Sequence, residues 1–238
     1  MELSNKRKSI VVMTLFLVVE LVLYILILTI HGPWLTVCLY SSIILCFLYA
    51  LSNCNKDNAL IIGGLGFTLA ADFCLVVCSP IEQLWGMVFF LGAQILYAVK
   101  LQLHTKNKIL IFVRFCHIIL AEIVAVVFLG EKTDALAVIS LCYYVNLFVN
   151  IIAAFARFNE NKFLSVGLLL FILCDTVIGL QVASGTYLPI SENSLIYKII
   201  FGEFYLSWFF YLPSQVLISL SSRVQAKQRI KVKITEVG

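Results

Sequence analysis

Two aspartates set in apolar runs are the residues of this chain best placed to do chemistry. Asp72 lies in the stretch from Gly64 to Val77, GLGFTLAADFCLVV, and Asp175 in a run from Phe163 to Ala183. The same pattern leads into each: Gly64-Leu65, six residues, then Asp72; Gly167-Leu168, six residues, then Asp175. A charged group at bilayer depth costs on the order of 3 kcal/mol by insertion scales, so it is rarely kept without a partner or a task. Two carboxyls held near each other can divide acid and base roles between them.

Composition says what solvent these aspartates sit in. Of 238 residues, 62% are hydrophobic and 13% charged, with a mean hydropathy of +1.02. A soluble domain carries roughly 45–50% apolar and 25% charged residues, which makes this an all-α, polytopic membrane protein. Its eight cysteines fall almost entirely inside apolar runs, where a thiol packs as a small hydrophobe. Cys74 and Cys78 share a helix face, but two thiols without a histidine make no metal set. His31 and His104 lie at helix ends and His117 stands alone, so the reading calls for no metal and no cofactor.

The apolar runs that must position the aspartates number eight, at about 9–30, 34–51, 59–78, 83–103, 109–129, 135–156, 163–183 and 195–220. Each approaches the ~20 residues that span a bilayer as a helix. The first is too long for a signal-peptide core and lacks a small-residue cleavage site, so it reads as an uncleaved helix. Turn-like separators divide the runs: Gly32-Pro33, the Asn53–Asn58 stretch, Ser79-Pro80, Lys106-Asn107-Lys108 and Asn159–Lys162. The whole chain reads as one transmembrane domain, 1–238, ending in a basic tail, 222–238.

Lysine and arginine mark the cytoplasmic side. With both termini inside, fourteen basic residues fall on the inner side and Lys132 alone on the outer, with Arg114 and Lys198 inside runs. The net charge of +4 then needs no nucleic-acid partner. The tail from Arg223 to Lys233 reads as an anchor to anionic headgroups. Without organelle signals, a bacterial inner membrane is the expected location.

The halves of the chain echo each other. The two aspartates are 103 positions apart, and Glu20 and Glu122, each followed by two aliphatics, are 102 apart. Four helices per half would make a parallel four-plus-four repeat, about an axis along the membrane normal. By residue count Asp72, Asp175, Glu20, Glu122 and Glu203 all lie roughly 9–15 Å from the outer end of their runs. The plain structural alternative is that these acids pair with buried amides, hydroxyls, Arg114 and Lys198 and simply hold helices together. That alternative suits the three glutamates better than the two aspartates, whose Gly-rich surroundings permit close helix approach.

Taken together, Gly-Leu-x6-Asp72, Phe90-x3-Gln94-x2-Tyr97, Gly-Leu-x6-Asp175 and Tyr211-x3-Gln215 before Val216-Leu217-Ile218 resemble the YhhN-like lysoplasmalogenases. These are eight-helix membrane proteins that cleave the vinyl-ether bond of lysoplasmalogens. The resemblance covers most of the chain after the second helix. It implies a lysophospholipid substrate among membrane lipids and Asp72 and Asp175 as the acid/base pair. Protonation of the outer alkenyl carbon gives an oxocarbenium ion, water captures it, and the hemiacetal collapses to a fatty aldehyde and a glycerophospho-headgroup. Glycosidases manage a similar development of charge with two carboxyls. Gln94, Tyr97, Tyr211 and Gln215 are candidates to hydrogen-bond substrate or water, and Asn146 and Asn150, at i and i+4, to line the same cavity.

Two positions depart from the family. Gln94 stands where a histidine is usual, and Cys174 where a serine is. An amide exchanges no proton near neutral pH, so a shuttle role there is lost, though Gln94 can still orient a water or headgroup oxygen. The competing class is a proton-coupled carrier using the same acids. Against it, Pro213 in the last helix has no counterpart in the fourth. An intramembrane aspartyl protease would want Gly-x-Gly-Asp, and Gly64 and Gly66 stand too far from Asp72. Neither oligomeric state nor headgroup preference is written in the sequence.

Overall fold

Chain direction is set at the ends of the apolar runs. Gly32 takes a left-handed φ of 95°, open to glycine, and Pro33 follows at the first helical position, where its missing N–H costs nothing. Gly130, at φ 55°, closes another helix, and Asp134 caps the next by accepting from the Ala137 amide at 2.7 Å. The loop before the third helix is bound by asparagines. Asn58, fully buried, donates to the Asn53 carbonyl at 2.7 Å and to the Ser222 carbonyl at 2.9 Å, tying it to the last helix.

The computed structural model describes residues 2–78, 83–105, 108–130, 133–186, 190–202 and 204–237, without the side chains of 2–6, 8, 103–105, 110, 128–129, 185–186 and 224–237. The helices are α1 (Glu2–Thr29), α2 (Pro33–Ser52), α3 (Ala59–Asp72), α4 (Gln83–Thr105), α5 (Lys108–Leu129), α6 (Ala135–Phe155), α7 (Phe158–Thr186), α8 (Leu195–Ile200) and α9 (Leu206–Val237). A π-helical segment, Phe73–Val77, continues α3. No strand occurs among the described residues. Among the described residues, six helices, α1 to α4 (α3 with its π segment), α6 and α7, are long and apolar enough to cross a membrane by length and composition.

Each expected run overlaps a helix, α1 and α7 beginning seven and five residues before theirs, and three features differ. The run expected at 195–220 is broken: α8 has six residues, ~9 Å, too short to cross a bilayer, and the long helix starts at Leu206. Gly202 marks the break, since a Cβ there would lie 2.7 Å from the Lys198 carbonyl oxygen. At its other end α9 continues through the basic residues to Val237, so the expected tail is a continuation of the helix. The separator Asn159–Lys162 is also helical, with a kink at Asn161 (φ −121°, ψ 26°) and an Arg157–Glu160 ion pair at 2.5 Å. Ser79-Pro80, Lys106, Lys132 and Glu203 lie outside the described residues.

Five helices form the central ring, α3 beside α4, then α6, α7 and α9, with α9 closing against α3. Helix α2 wedges between α3 and α9, α1 packs on α2 and α9, and α5 packs on α6. The tightest seams use glycine. A Cβ on Gly64 would meet the Tyr97 ring at 2.2 Å, and one on Gly167 would meet Ile218 Cγ1 at 2.8 Å and the Ser214 carbonyl at 3.1 Å. Close approach at small residues is how membrane helices gain packing that lipid does not provide. Pro213 inside α9 leaves the Phe209 carbonyl without its helical donor, and the Tyr24 hydroxyl of α1 donates to that oxygen at 3.2 Å.

Candidate active site

Each helix of the ring sends one or more side chains to its centre. Asp72 comes from the end of α3, Phe90 from α4, Tyr143 from α6, Phe171 and Asp175 from α7, and Tyr211 from α9. Phe90, Tyr143, Phe171 and Tyr211 form one aromatic cluster, with centroids 5.4–6.5 Å apart in tilted and edge-on contacts. The aspartates lie against this cluster, each held by a phenol. Tyr211 donates to Asp72 Oδ2 at 2.5 Å, and Tyr143 donates to Asp175 Oδ2. Each phenol occupies one carboxyl oxygen and leaves Oδ1 for a substrate or a water.

Tyr143 and Tyr211, the phenols on the two carboxyls, both pack edge-on against Phe171, with ring centroids 6.3 and 5.4 Å from it. The repeated aspartates thus meet in one site although 103 positions separate them. Their exposure differs: Asp72 is 3% exposed, and Asp175 is only partly buried. Asp72 is also the last α-helical residue before the π segment. Widened turns of this kind occur often at functional sites because they re-aim the side chains beside them.

The other expected site residues divide into two groups. Tyr211 belongs to the centre, as described. Gln215, one turn further along α9, is fully buried; its Nε2 donates to Ser214 Oγ at 3.2 Å and its Oε1 has no hydrogen-bond partner. Tyr97 is fully buried with its ring on Gly64, and its hydroxyl approaches Thr68 without reaching hydrogen-bond geometry. That position makes Tyr97 the packing partner of the α3–α4 seam.

Gln94, Asn146 and Asn150 build a separate polar cluster around Arg114. The guanidinium donates to Asn146 Oδ1 at 2.6 Å and to Asn150 Oδ1 at 2.8 Å. The Asn150 amide in turn donates to the Gln94 carbonyl at 2.8 Å and to Gln94 Oε1 at 3.0 Å. The Gln94 side-chain amide nitrogen is buried and unpartnered. Arg114 therefore pairs with amides and not with the buried acids.

The glutamates do pair locally. Glu20 accepts from the Cys46 thiol at 3.4 Å between α1 and α2, and Glu122 accepts from the Cys142 thiol at 3.1 Å between α5 and α6. All eight cysteines are free. Sequence reasoning missed Tyr143, which sits in the ordinary-looking run SLCYYVNL. A phenol three residues before Asn146, on one face of a helix carrying two asparagines, was the available signal.

No curated protein and no solved structure matches the chain. The model of the YhhN family matches residues 32–222, which contain α2 to α8, the start of α9 and every side chain of the centre. This chain belongs to the YhhN family.

Proposed function

We propose that this protein is a membrane-embedded hydrolase that cleaves the vinyl-ether bond of lysoplasmalogens, using Asp72 and Asp175 as its acid/base pair. Family membership supports a lysoplasmalogenase-type enzyme. The observation that carries the reading is the placement of two carboxyls, each oriented by a phenol, against one aromatic cluster. One carboxyl protonates the outer alkenyl carbon. The other takes a proton from the water that attacks the oxocarbenium carbon. The resulting hemiacetal loses its hydroxyl proton and breaks its bond to the glycerol oxygen, which takes up a proton, giving the fatty aldehyde and the glycerophospho-headgroup. Asp175 is the more exposed of the two carboxyls, which favours it as the base and Asp72 as the acid.

The same reading takes the chain to be a parallel four-plus-four repeat, with α5 and α9 also crossing the membrane. Neighbour relations support it: α1–α2, α2–α3, α3–α4 and α2–α9 correspond to α5–α6, α6–α7, α7–α9 and α6–α4. So do single contacts. Gly64 on Tyr97 corresponds to Gly167 on Ile218, and the Glu20–Cys46 pair to Glu122–Cys142. An axis between the halves would run through the site, bringing the two aspartates together.

The test uses detergent-purified protein given lysoplasmenyl-ethanolamine, with aldehyde release measured for wild type, Asp72→Asn and Asp175→Asn. Release by wild type and its loss in both variants supports the proposal. No release from folded wild type overturns the hydrolase reading, and equal release from all three overturns the pair. A carrier would move substrate into liposomes chemically unchanged.

A further inference from the structure

Arg114 is a cation inside an apolar helix that the acid/base chemistry does not use. It lies six residues into α5, ~9 Å from the Lys108 end, between the exposed apolar side chains Phe112 and Phe115. Among the described residues no carboxylate comes within ion-pair distance of it. Glu122, on the same helix, is two turns away and engaged with Cys142. An arginine so placed can extend towards the membrane surface, yet this one turns to α6, where two asparagine oxygens fix its plane.

Asparagine oxygens orient a guanidinium without neutralising it. With both asparagine oxygens and Gln94 Oε1 each already accepting one hydrogen bond, the larger share of the hydrogen-bonding capacity left at this cluster is on the donor side. It consists of the remaining guanidinium N–H groups, three of the usual five, and the unpartnered Gln94 amide nitrogen. Arg114 is partly exposed. A partly open, donor-rich cluster with an uncompensated positive charge fits a phosphate, which guanidinium binds through two parallel N–H bonds.

We infer that Arg114, held by Asn146 and Asn150, binds the phosphodiester of a lysophospholipid whose glycerol reaches from there to the aspartate pair. Asn146 and Asn150 lie three and seven residues along α6 from Tyr143, the phenol on Asp175, an axial offset of roughly 5–10 Å. A glycerol carrying a phosphate at one end and an ether at the other has that reach. The first half of the chain has nothing like it: the positions matching Arg114, Asn146 and Asn150, by the offsets of the two Glu–Cys pairs, are Val12, Ala50 and Cys54. The cluster is therefore an addition to the repeat, suited to an asymmetric ligand. This inference rests on the lysoplasmalogen reading for the ligand's identity.

The test is a binding measurement on full-length protein in detergent, with an uncleavable probe. The probes are a 1-O-alkyl lysophosphatidylethanolamine, the matched 1-O-alkylglycerol without phosphate, and inorganic phosphate alone. Wild type is expected to bind the phosphate-bearing lipid roughly 10- to 100-fold more tightly than the alkylglycerol, the usual gain from hydrogen bonds to a charged group. Arg114→Gln is expected to erase that preference while keeping wild-type affinity for the alkylglycerol, which also reports that the variant is folded. Arg114→Lys is expected to restore part of it. Absence of the preference in wild type overturns the inference even where Arg114→Gln fails to fold, and so does its survival in Arg114→Gln. Inorganic phosphate binding as tightly as the lipid, with the same dependence on Arg114, would make this a free-phosphate site and overturn the lipid assignment. Phosphate-dependent binding without vinyl-ether cleavage would refute the proposed reaction and leave this inference standing.

Discussion

Asp72 and Asp175 follow the same six-residue spacing from a Gly-Leu pair, and each accepts a hydrogen bond from a tyrosine on a neighbouring helix. Their surroundings then diverge. Helix α3 widens into a π segment immediately after Asp72, whereas α7 runs on from Asp175 to Thr186, its one irregular residue lying far back at Asn161. Asp72 is buried and Asp175 partly open. The proposed repeat would supply two carboxyls at equivalent positions, but equivalent carboxyls cannot do opposite jobs. The asymmetry that chemistry needs enters through access and through what each half adds, a π segment in one and the Arg114 cluster in the other.

The largest expected effect comes from the carboxyls. Asp72→Ala and Asp175→Ala are each expected to lower aldehyde release about 10²- to 10⁴-fold, the range that general acid or base catalysis contributes. The difference in access should show in rescue. Added formate is expected to restore part of the activity of Asp175→Ala, whose site is partly open, and none to Asp72→Ala. Rescue of both alike would mean that the two aspartates are equally open, and the division of roles would fail.

The phenols come next. Tyr211→Phe and Tyr143→Phe remove one hydrogen bond to a carboxyl each, worth roughly 1.5–3 kcal/mol, or about 10- to 100-fold in kcat. Tyr211→Phe is expected to cost more, because Asp72 is only 3% exposed and has little solvent beside it to replace the lost donor. The comparison is read as kcat with KM followed separately. The reverse order would place the sensitive carboxyl at Asp175.

How much of this was legible before the structure varies with the kind of signal. Helix positions were written in unbroken apolar runs, because a bilayer sets their length and tolerates few charges. Asp72 and Asp175 stood out for the same reason. Tyr143 did not, since phenols are common in such helices and its role depends on how α6 turns against α7. The hydrophobicity of the run at 195–220 gives no sign of a break, although α8 ends at Ile200 and a Cβ on Gly202 would meet the Lys198 carbonyl oxygen. Arg114 was expected among the acids, and a run of hydrophobicity carries no information about which neighbour faces it. The π segment left no mark in composition at all.

Helix contacts give smaller effects, read as stability. Gly64→Ala and Gly167→Ala each put a methyl into an occupied seam and are expected to cost about 1–3 kcal/mol, measured by thermal melting in detergent. The two seams should differ in how they are relieved. At Gly64 the obstacle is the Tyr97 ring, so adding Tyr97→Leu is expected to recover most of the loss. At Gly167 the obstacle includes the Ser214 carbonyl and the Ile218 amide, so adding Ile218→Val is expected to recover little. Equal recovery would show that the α7–α9 backbone yields as readily as a side chain.

The smallest effect tests whether the glutamates belong to the repeat's scaffold or to its chemistry. Glu20 and Glu122 each accept a hydrogen bond from a cysteine on the next helix, and a glutamine's oxygen accepts the same bond. Glu20→Gln and Glu122→Gln are therefore expected to change stability by only ~0.6 kcal/mol, the mean for polar contacts between membrane helices, with aldehyde release near that of wild type. Glu20 is the more demanding case, because it is 3% exposed. Loss of turnover in Glu20→Gln but not in Glu122→Gln would carry the functional asymmetry outward from the aspartates to α1, and make the Glu20–Cys46 pair part of the route by which Asp72 exchanges its proton.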